Sequence, residues 1–379
     1  MPTTIIGAAT VAIWAYLLLF RGGFWRIRRD DPPASPVGPS RSVVAVVPAR
    51  DEAEVIGRSI PSLLEQSHPR LHIVLVDDQS DDGTAEIARA AASGAGERLT
   101  ICRGAPVPHG WTGKLWAIEQ GIAAAQPLQP DYLLLTDADI VHAPDNLAEL
   151  IARAESGGYD LVSLMVKLNC RSPSERLLIP AFVFFFFKLY PPRWVADPAR
   201  RTSAAAGGCI LIRRASLERI GGIARIRGEI IDDCALAGLI KQQGKIWLGL
   251  STETQSIREY ASARAIWQMV ARCAFAQLGY SSLMLGLTVL MLSLTYLAPP
   301  LLLLSGRPLA RLCGAASWTA MSIAFVPILR IYQGKGRLAF LLPAITTFYG
   351  AATIASAVLF WRGRGGYWKG RFQAIAKAG

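Results

Sequence analysis

Leu133-Leu134-Leu135-Thr136-Asp137-Ala138-Asp139-Ile140 is the stretch that decides the fold, an apolar run that ends abruptly at two carboxylates. Such a run is typical of a buried strand that enters a turn. Acids at the carboxyl end of a strand face the crevice in which open α/β sheets bind ligands. If the strand continues, Asp137 and Asp139 point the same way, so both could reach one hard cation. Because acids are also common in ordinary turns, these two residues alone do not distinguish a metal site from a plain turn.

The composition indicates a soluble domain joined to a membrane part. The chain has 379 residues, of which 52% are hydrophobic, and a net charge of +12. Its mean hydropathy of +0.31 is too high for one ordinary soluble domain and too low for a transporter. The basic residues crowd around apolar segments, which favours a membrane surface and anionic substrates over nucleic acid. The six cysteines are scattered singly, so they indicate neither a zinc site nor a disulfide framework.

Both ends of the chain carry apolar segments long enough for a bilayer. The uncharged run Thr4–Phe20 is followed, not preceded, by basic residues, which predicts a retained anchor over residues 1–21 with the next domain in the cytoplasm. Residues 22–42 are predicted to be a basic, proline-rich linker that includes Pro32–Pro39. Three further stretches are predicted to be transmembrane between residues 279 and 361: about Ser282–Leu304, Leu312–Leu329 and Leu338–Phe360.

The side of the membrane reached by the basic tail, residues 362–379, stays open at this stage. Four crossings would place this tail outside, against the preference for basic segments on the cytoplasmic side. Pro299-Pro300 could bend the second segment back and so keep the tail inside. We expect a multi-pass protein of a bacterial-type inner (cytoplasmic) membrane, with a cytoplasmic catalytic domain.

Residues 43–278 alternate between strand and helix patterns. Strands are predicted over Val43–Val47, Leu71–Val76, Leu99–Arg103 and Tyr132–Thr136, with helices between them. This alternation predicts an α/β domain with a mostly parallel, Rossmann-like, doubly wound sheet. The acid-rich ends of three strands should then meet at one sheet edge: Asp51, Asp77-Asp78 and Asp137/Asp139.

A phenylalanine-rich run, Leu177–Phe187, follows within this region. It is too short to cross a bilayer and has basic flanks, so residues 175–194 are predicted to form an interfacial helix lying on the membrane. A buried core helix is the alternative.

Several motifs, taken in order, resemble the family 2 glycosyltransferases, which have the nucleotide-diphospho-sugar transferase fold called GT-A. The motifs are Pro48-Ala49-Arg50-Asp51-Glu52, Val76-Asp77-Asp78-Gln79-Ser80 with Asp82-Gly83-Thr84, Asp137-Ala138-Asp139, Gly207-Gly208-Cys209 with Arg213-Arg214, and Ile231-Asp232-Asp233-Cys234-Ala235-Leu236. Gly110-Trp111-Thr112-Gly113-Lys114, Asp232-Asp233-Cys234 and Met269-Val270-Ala271-Arg272 look most like the hopanoid-biosynthesis-associated branch.

The resemblance implies a pocket for the donor nucleotide. Its expected members are Pro48, Arg50, Glu52, Asp77, Asp78, Lys114 and Asp137. Asp77 or Asp78 would accept the imide N–H of uracil; the alternative is helix capping, which Ser80 or Asp82 could serve instead. The arginine and the glutamate of this set could equally form a local ion pair.

The same resemblance implies a divalent metal ion, Mg²⁺ or Mn²⁺, held by Asp137 and Asp139 with the donor diphosphate. Asp137 would mainly contact the ribose and Asp139 mainly the metal, which would stabilise the leaving group as a Lewis acid. Lys114 lies at a predicted helix start, where backbone N–H groups and an ammonium suit a phosphate. A solvated lysine is the alternative there.

Asp233 is the expected general base. Paired acids raise one another's pKa, which suits base chemistry near neutral pH, whereas helix capping is the alternative role. Acceptor or diphosphate contacts are expected from Gly207, Gly208, Asp232, Trp267, Gln268 and Arg272. For the last of these, a plain amphipathic basic face is nearly as good an interpretation.

A motif of the processive polysaccharide synthases among the family 2 glycosyltransferases is incomplete in this chain. Gln255-Ser256-Ile257-Arg258 is followed by Glu259, so the Gln-X-X-Arg-Trp sequence of those enzymes is incomplete. This departure argues against a processive polysaccharide synthase.

The sequence therefore predicts a membrane-bound inverting glycosyltransferase that moves a sugar from a nucleotide-sugar donor, a UDP-sugar by the resemblance, to a hydroxyl of a membrane lipid. The branch resemblance suggests hopanoid biosynthesis. A polyprenyl-phosphate glycosyltransferase or polysaccharide synthase is one alternative, and a catalytically idle nucleotide-binding scaffold is another. No nucleic-acid-binding motif is present.

Overall fold

The computed structural model of the chain describes residues 1–26 and 41–372. Pro32–Pro39 of the predicted linker and the end of the basic tail lie outside the described residues. The chain forms two compact units. Residues 41–169 and 194–258 form an α/β unit, and residues 1–26, 170–193 and 259–372 form a helical unit.

The α/β unit contains one sheet of eight strands. They are β1 (Val43–Ala49), β2 (Leu71–Asp77), β3 (Leu99–Arg103), β4 (Tyr132–Thr136), β5 (Ile140–Val141), β6 (Leu161–Lys167), β7 (Cys209–Arg213) and β8 (Ile246–Ser256). Their order is β3-β2-β1-β4-β7-β6-β8-β5. The first four strands in this order are parallel, β6 pairs parallel with β8, and β7 and β5 are antiparallel to their neighbours. The predicted mostly parallel sheet is confirmed.

Helices cover both faces of this sheet. In chain order, the helices of the α/β unit are α2 (Ala53–Leu64), α3 (Thr84–Ala91), α4 (Gly113–Ala125), α5 (Asn146–Gly157), α7 (Pro192–Ala196, which begins in the other unit), α8 (Arg214–Arg219) and α9 (Asp232–Lys241). Alternate β1 residues such as Val43, Ala45 and Val47 share one core with apolar residues of α2 and α5. On the other face, α4 comes so close that a methyl group on Gly121 would lie 2.4 Å from Val46. Burial on both faces explains why these strands are continuous apolar runs.

The topology places three acid-rich strand ends together. Strands β2, β1 and β4 are adjacent, parallel and in register, with Val43 opposite both Leu71 and Tyr132. Their carboxyl ends therefore lie side by side, as the sequence predicted.

The helical unit contains α1 (Pro2–Leu19), α6 (Pro173–Leu189), α10 (Ala263–Cys273), α11 (Ser282–Leu292), α12 (Ala298–Leu302), α13 (Pro308–Ile331) and α14 (Leu342–Trp361). A π-helical turn, Ser293–Leu297, joins α11 to α12. Within residues 1–26 and 41–372, four segments are long and apolar enough to cross a membrane: Pro2–Leu19, Ser282–Leu302, Pro308–Ile331 and Gly336–Trp361. The predicted apolar segments at both ends of the chain are therefore helices of spanning length.

Two sequence-based expectations need correction. The predicted interfacial helix, α6, is packed inside the helical unit, where Val183, Phe184 and Phe187 have no exposed surface. Phe184 contacts Phe24 and Phe325 edge to face, so the buried core helix is the better description. The predicted continuous domain 43–278 is also interrupted, because residues 170–193 and 259–278 belong to the helical unit.

Candidate active site

Six of the predicted site residues line one pocket of the α/β unit. They are Pro48, Lys114, Asp137, Gly207, Asp232 and Asp233. Pro48 lies on β1, and Asp137 and Gly207 lie directly after β4 and just before β7. The other three lie in the first turns of α4 and α9. The pocket is therefore built where the sheet's carboxyl edge meets two helix N-termini, an arrangement that suits anionic ligands.

Lys114 is the electrostatic centre of this pocket. Its Nζ lies 2.9 Å from Asp137 Oδ1 and 3.4 Å from Asp232 Oδ2. Burial lowers its pKa, but the charges of Asp137 and Asp232 outweigh this and raise the pKa above its ordinary value. Lys114 is therefore charged and held by carboxylates, and the solvated-lysine interpretation is wrong. Contact with a donor phosphate stays a prediction.

Asp233 lies beside this lysine in the first turn of α9. Its Oδ2 accepts the backbone N–H of Gly207 at 2.9 Å, and its Oδ1 accepts that of Cys234 at 2.7 Å. Burial, then the charge of Asp232, raise the pKa of Asp233 to about 6, while Lys114 and these two N–H groups act in the opposite direction. A carboxyl group with this pKa is suited to accept a proton near neutral pH.

Gly207 and Gly208 differ in role. A side chain on Gly207 would lie 3.2 Å from Lys114 Nζ and 3.4 Å from Asp233 Oδ2, so this glycine keeps the pocket open. A side chain on Gly208 would meet Ile140 and Val166 in the core. Gly208 is therefore a packing position, and contact of either glycine with the acceptor or the diphosphate stays a prediction.

Asp139 belongs to a second cluster at the same sheet edge, centred on Arg258. The Nη2 of Arg258 donates to both carboxylate oxygens of Glu52 at 2.7 Å, and its Nε donates to Asp139 Oδ2 at 3.2 Å. The hydroxyl of Ser256 donates to the same aspartate oxygen at 2.7 Å. The cluster joins the loop after β1 to the turn after β4.

Arg258 was not among the predicted site residues. In the sequence, Gln255–Arg258 is only an incomplete motif. The contacts of Arg258 could not be predicted, because they depend on the pairing of strands that are distant in sequence. Strand β8 pairs antiparallel with β5, with Ser256 opposite Ile140, and this register brings Arg258 to Asp139. The apolar residues of β8 predict a strand, but they do not show which residues of β5 it pairs with.

The residues predicted to bind the base of the nucleotide contact one another at the ends of β1 and β2. Arg50 donates to the carbonyl oxygen of Asp78 at 2.7 Å, and its Nη1 lies 3.8 Å from Asp78 Oδ2. Asp78 is buried, whereas Asp77 is half-buried and accepts the N–H of Ser80 at 3.1 Å. Of the two carboxylates, Asp77 is thus the accessible one. Asp82 accepts the N–H of Thr84, the first residue of α3, so neither Asp77 nor Asp78 makes this contact.

The loops after β1 and β2 adopt an unusual backbone conformation. Asp51 has φ +50° and Gln79 φ +58°, both in the left-handed region. Non-glycine residues in this region cluster at ligand-binding sites, where the surroundings hold them in place. The N–H of Asp51 donates to Ser80, and its Oδ1 accepts the N–H of Asp81, so the two loops hold one another.

The chemistry of Asp137 and Asp139 fits a divalent cation in part. Among the residues described, no group of three or more His, Cys, Asp or Glu side chains could hold a metal ion. The two carboxylates supply hard oxygen ligands from one turn, and Mg²⁺ commonly takes one or two carboxylates with substrate phosphates and water. The two aspartates therefore fit a metal ion that binds together with a diphosphate. On binding it, Asp137 would replace its contact with Lys114, and Asp139 its contact with Arg258, by a contact with the metal.

A buried polar network supports the strand end that carries Asp137. The hydroxyl of Thr136 donates to the carbonyl of Gly208 at 2.8 Å and lies 3.0 Å from His142 Nε2. Because a carbonyl only accepts, this hydroxyl accepts from His142 Nε2–H, and Nδ1 accepts from the amide of Asn146 at 3.0 Å. His142 thus joins β4, α5 and the loop before β7.

Three predicted contacts lie in the helical unit, on α10. Trp267 packs edge to face on Phe348 at 5.3 Å. Gln268 and Arg272 are exposed, while Ile266 and Val270 are buried on the opposite face. The helix is therefore amphipathic, as the alternative stated, and a substrate role for these residues stays a prediction.

Part of the α/β unit is similar to known proteins. Residues 44–221 match the model of the family described as Glycosyl transferase family 2. The polyprenol monophosphomannose synthase of Mycolicibacterium smegmatis is 27% identical over 138 residues, which cover 34% of this chain and 46% of that protein. The undecaprenyl-phosphate 4-deoxy-4-formamido-L-arabinose transferase of Serratia proteamaculans is 32% identical over 135 residues, which cover 34% and 38%. This chain spans less than half the length of these relatives.

A solved structure matches over almost the whole chain. It is the mannosyltransferase PcManGT from Pyrobaculum calidifontis in complex with GDP-Man and Mn²⁺, with a TM-score of 0.57 and 20% identity. The alignment covers 95% of this chain and 99% of that one. At this identity the likeness shows the fold alone. Residues 44–221 thus resemble the family 2 glycosyl transferases, and the chain has the GT-A fold.

Proposed function

We propose that this chain is a membrane-bound, metal-dependent, inverting glycosyltransferase that moves a sugar from a nucleotide-sugar to a polyprenoid lipid. The observation that carries the proposal is the convergence of Lys114, Asp137, Asp232 and Asp233 in one pocket. A lysine and two helix N-termini suit a diphosphate, and the carboxylate beside them has the pKa of a general base.

The donor would occupy the edge formed by β1, β2 and β4. Asp77 is the accessible carboxylate for the base, Lys114 would bind a phosphate, and Asp137 and Asp139 would bind Mg²⁺ or Mn²⁺. The bound metal would neutralise the leaving nucleoside diphosphate. Because uracil offers an imide N–H to a carboxylate, we propose a UDP-sugar donor.

Asp233 would take the proton of the acceptor hydroxyl. The acceptor oxygen then bonds to the anomeric carbon while the bond from that carbon to the nucleoside diphosphate breaks. A single displacement inverts the anomeric centre, and no covalent sugar–enzyme intermediate forms. Gly207, whose N–H holds Asp233 at 2.9 Å, keeps space for the acceptor above the base.

A lipid acceptor is supported by the four segments of spanning length and by the names of the relatives, which refer to polyprenol and undecaprenyl phosphate. The hopanoid-like wording of several motifs makes a hopanoid hydroxyl our specific proposal. The raised pKa of Asp233 supports it, because a hydroxyl must lose its proton during transfer.

A polyprenyl phosphate is the second candidate acceptor, favoured by the names of the relatives. A phosphate is already ionised near neutral pH, so transfer to it needs little help from a base. The two candidates therefore differ in how strongly they depend on Asp233.

Nucleotide release from the purified protein tests the proposal. The full chain in detergent is incubated with UDP- and GDP-sugars, Mg²⁺ or Mn²⁺, and farnesol, a hopanoid polyol or farnesyl phosphate. We expect metal-dependent release of UDP that a hydroxyl acceptor stimulates and that Asp233→Asn lowers by about 10²–10⁴-fold. The exposed carboxylate variant Asp145→Asn is the matched control and should keep full activity. No turnover with any combination would refute the enzymatic assignment, and turnover with farnesyl phosphate alone would favour the second candidate.

A further inference from the structure

The helical unit contains a lysine whose environment the proposed reaction does not explain. Lys188 lies at the end of α6, and its Nζ donates to the hydroxyl of Tyr296 at 3.0 Å. The ammonium also lies 4.8 Å from the centre of the Tyr296 ring and 5.3 Å from that of Phe185. Within residues 1–26 and 41–372, no carboxylate lies within 4.0 Å of it. An ammonium has three N–H donors, so the one hydroxyl leaves donors for another partner.

A second cation lies beside this lysine. Arg21 donates to the carbonyl oxygens of Lys188 at 3.1 Å and Leu189 at 3.2 Å, which places its guanidinium at the carboxyl end of α6. Burial, and then the nearby charge of Arg21, lower the pKa of Lys188 to about 8. An anion bound by Lys188 would relieve both its desolvation and the repulsion from Arg21.

The hydroxyl that Lys188 contacts belongs to an unusual backbone segment. Tyr296 lies in the π-helical turn Ser293–Leu297, inside a segment long enough to cross a membrane. The carbonyl of Thr295 in this turn accepts the indole N–H of Trp14 at 2.9 Å, and the Trp14 ring packs edge to face on Tyr296. Single π turns are rare and frequently occur at functional sites. Here the turn holds a buried hydroxyl against the lysine.

The surface near the two cations is apolar. Leu19 and Phe20, directly before Arg21, are 69% and 67% exposed, and Leu189, directly after Lys188, is 45% exposed. A ligand with one anionic group on an apolar chain would match both Lys188 and these side chains. Free phosphate would match only the lysine.

We propose that Lys188 binds the phosphate-ester headgroup of a membrane lipid, with the apolar chain against the exposed side chains next to it. The shared chemistry is a phosphate on a hydrocarbon chain, whether a polyprenyl phosphate or a bilayer phospholipid. The site uses none of the residues to which the proposed reaction assigns a role, so it can exist whether or not that reaction is correct.

Lipid binding to the full chain in neutral detergent, counted by native mass spectrometry, tests the site without donor or turnover. The probes are farnesyl phosphate, dioleoylphosphatidylglycerol, farnesol and inorganic phosphate. We expect farnesyl phosphate to bind at least about tenfold more tightly than farnesol or inorganic phosphate, since a charge-assisted hydrogen bond has this strength. Equal binding of the phospholipid would identify the site as one for bilayer lipids, and preference for farnesyl phosphate would identify a polyprenyl phosphate site.

Variants connect this binding to the lysine. Lys188→Met, which keeps the length and removes the charge, should lower the affinity for phosphate lipids about tenfold, whereas Lys188→Arg should retain it. Arg311→Met removes an exposed charge elsewhere in the helical unit and should bind like the unaltered chain. Unchanged affinity in the Met variant would overturn the proposal. Equally tight binding of farnesol and farnesyl phosphate to the unaltered chain would overturn it too, and this comparison needs no variant.

Discussion

At the scale of single residues, the pair Asp232–Asp233 contains the most specific chemistry of the pocket. The two carboxylates are adjacent in sequence but differ in their contacts. Asp232 pairs with Lys114 at 3.4 Å, while Asp233 accepts two backbone N–H groups. Such a difference in environment separates the pKa values of neighbouring acids and gives them separate roles.

The pH dependence of the rate follows from this difference. The base must be ionised, and burial and Asp232 raise the pKa of Asp233 to about 6. With a hydroxyl acceptor we therefore expect kcat/KM to fall about tenfold per pH unit below this value. Asp232→Asn removes the neighbouring charge, so the pKa of Asp233 falls and the acidic limb of the rate profile moves to lower pH.

Rate profiles of the unaltered chain and the Asp232→Asn variant measure this shift. Asp232→Glu, which keeps the negative charge, is the matched control. Its acidic limb should stay near the pH of the unaltered chain. A limb that stays in place in the Asn variant would mean that another group controls the rate in this range.

At the scale of elements, the close approach of α4 to the sheet is needed to place Lys114. Glycine lowers helix stability, so Gly→Ala within a helix ordinarily stabilises by up to about 1 kcal/mol. In α4 the added methyl of Gly121→Ala would lie 2.4 Å from Val46 and 3.0 Å from Val76, both within the sheet. We expect this substitution to destabilise the fold by about 1–3 kcal/mol, because overpacking moves the helix or the strands.

Thermal unfolding in detergent measures the effect, and α9 offers the matched control. A methyl on Gly238 would meet only the Ser203 hydroxyl at 3.5 Å, an ordinary contact, so Gly238→Ala should stabilise slightly. Equal changes in the two variants would mean that helix propensity, not packing on the sheet, decides the outcome.

The network around His142 joins β4, α5 and the loop before β7, and it makes stability depend on pH. Burial lowers the pKa of His142 from 6.5 to about 4. The unfolded chain therefore binds a proton below about pH 6.5 that the folded chain does not bind until about pH 4. Stability is full above 6.5, falls as the pH falls from 6.5 to 4, and loses about 3 kcal/mol in total from this group.

His142→Gln keeps an amide that can donate to Thr136 and accept from Asn146, but it does not titrate. Its unfolding midpoint should therefore fall less between pH 6.5 and 4 than that of the unaltered chain. His109→Gln removes an exposed histidine and should leave the pH dependence unchanged. The same pH dependence in the unaltered chain and the His142 variant would contradict a neutral buried imidazole.

Elements with local signals were predictable from the sequence, and those that depend on pairing were not. Strands β3 and β4 begin and end where the apolar runs predicted, because their boundaries follow local pattern and turn residues. The position of Arg258 depends on the pairing of β8 with β5, and the burial of α6 depends on neighbours distant in sequence. The Asp137 and Asp139 turn was found, but the cations that pair with it come from other parts of the chain.

At the scale of the whole molecule, the four segments of spanning length leave the side of the basic tail to be decided. If all four cross, Arg362, Arg364, Lys369, Arg371 and Lys377 lie on the side opposite the α/β unit. This conflicts with the preference of basic segments for the cytoplasmic side. Segment Ser282–Leu302 departs most from regular helix, since it contains the π-helical turn and two adjacent prolines. We therefore expect that this segment does not cross completely and that the tail is cytoplasmic.

Reporter fusions in a bacterial host test this topology. Green fluorescent protein fused after Gly379 should fluoresce, and alkaline phosphatase at the same position should be inactive, because each folds on only one side of the membrane. The same two reporters fused after Gly334, between α13 and α14, should give the reverse result, since α14 then crosses between the two positions. An active phosphatase after Gly379 would show that all four segments cross, and the five basic residues would then be an exception to the charge preference. A Pro299→Ala/Pro300→Ala variant tests whether the prolines are the reason that this segment does not cross. If they are, the segment should cross in the variant, and the tail should move to the other side of the membrane.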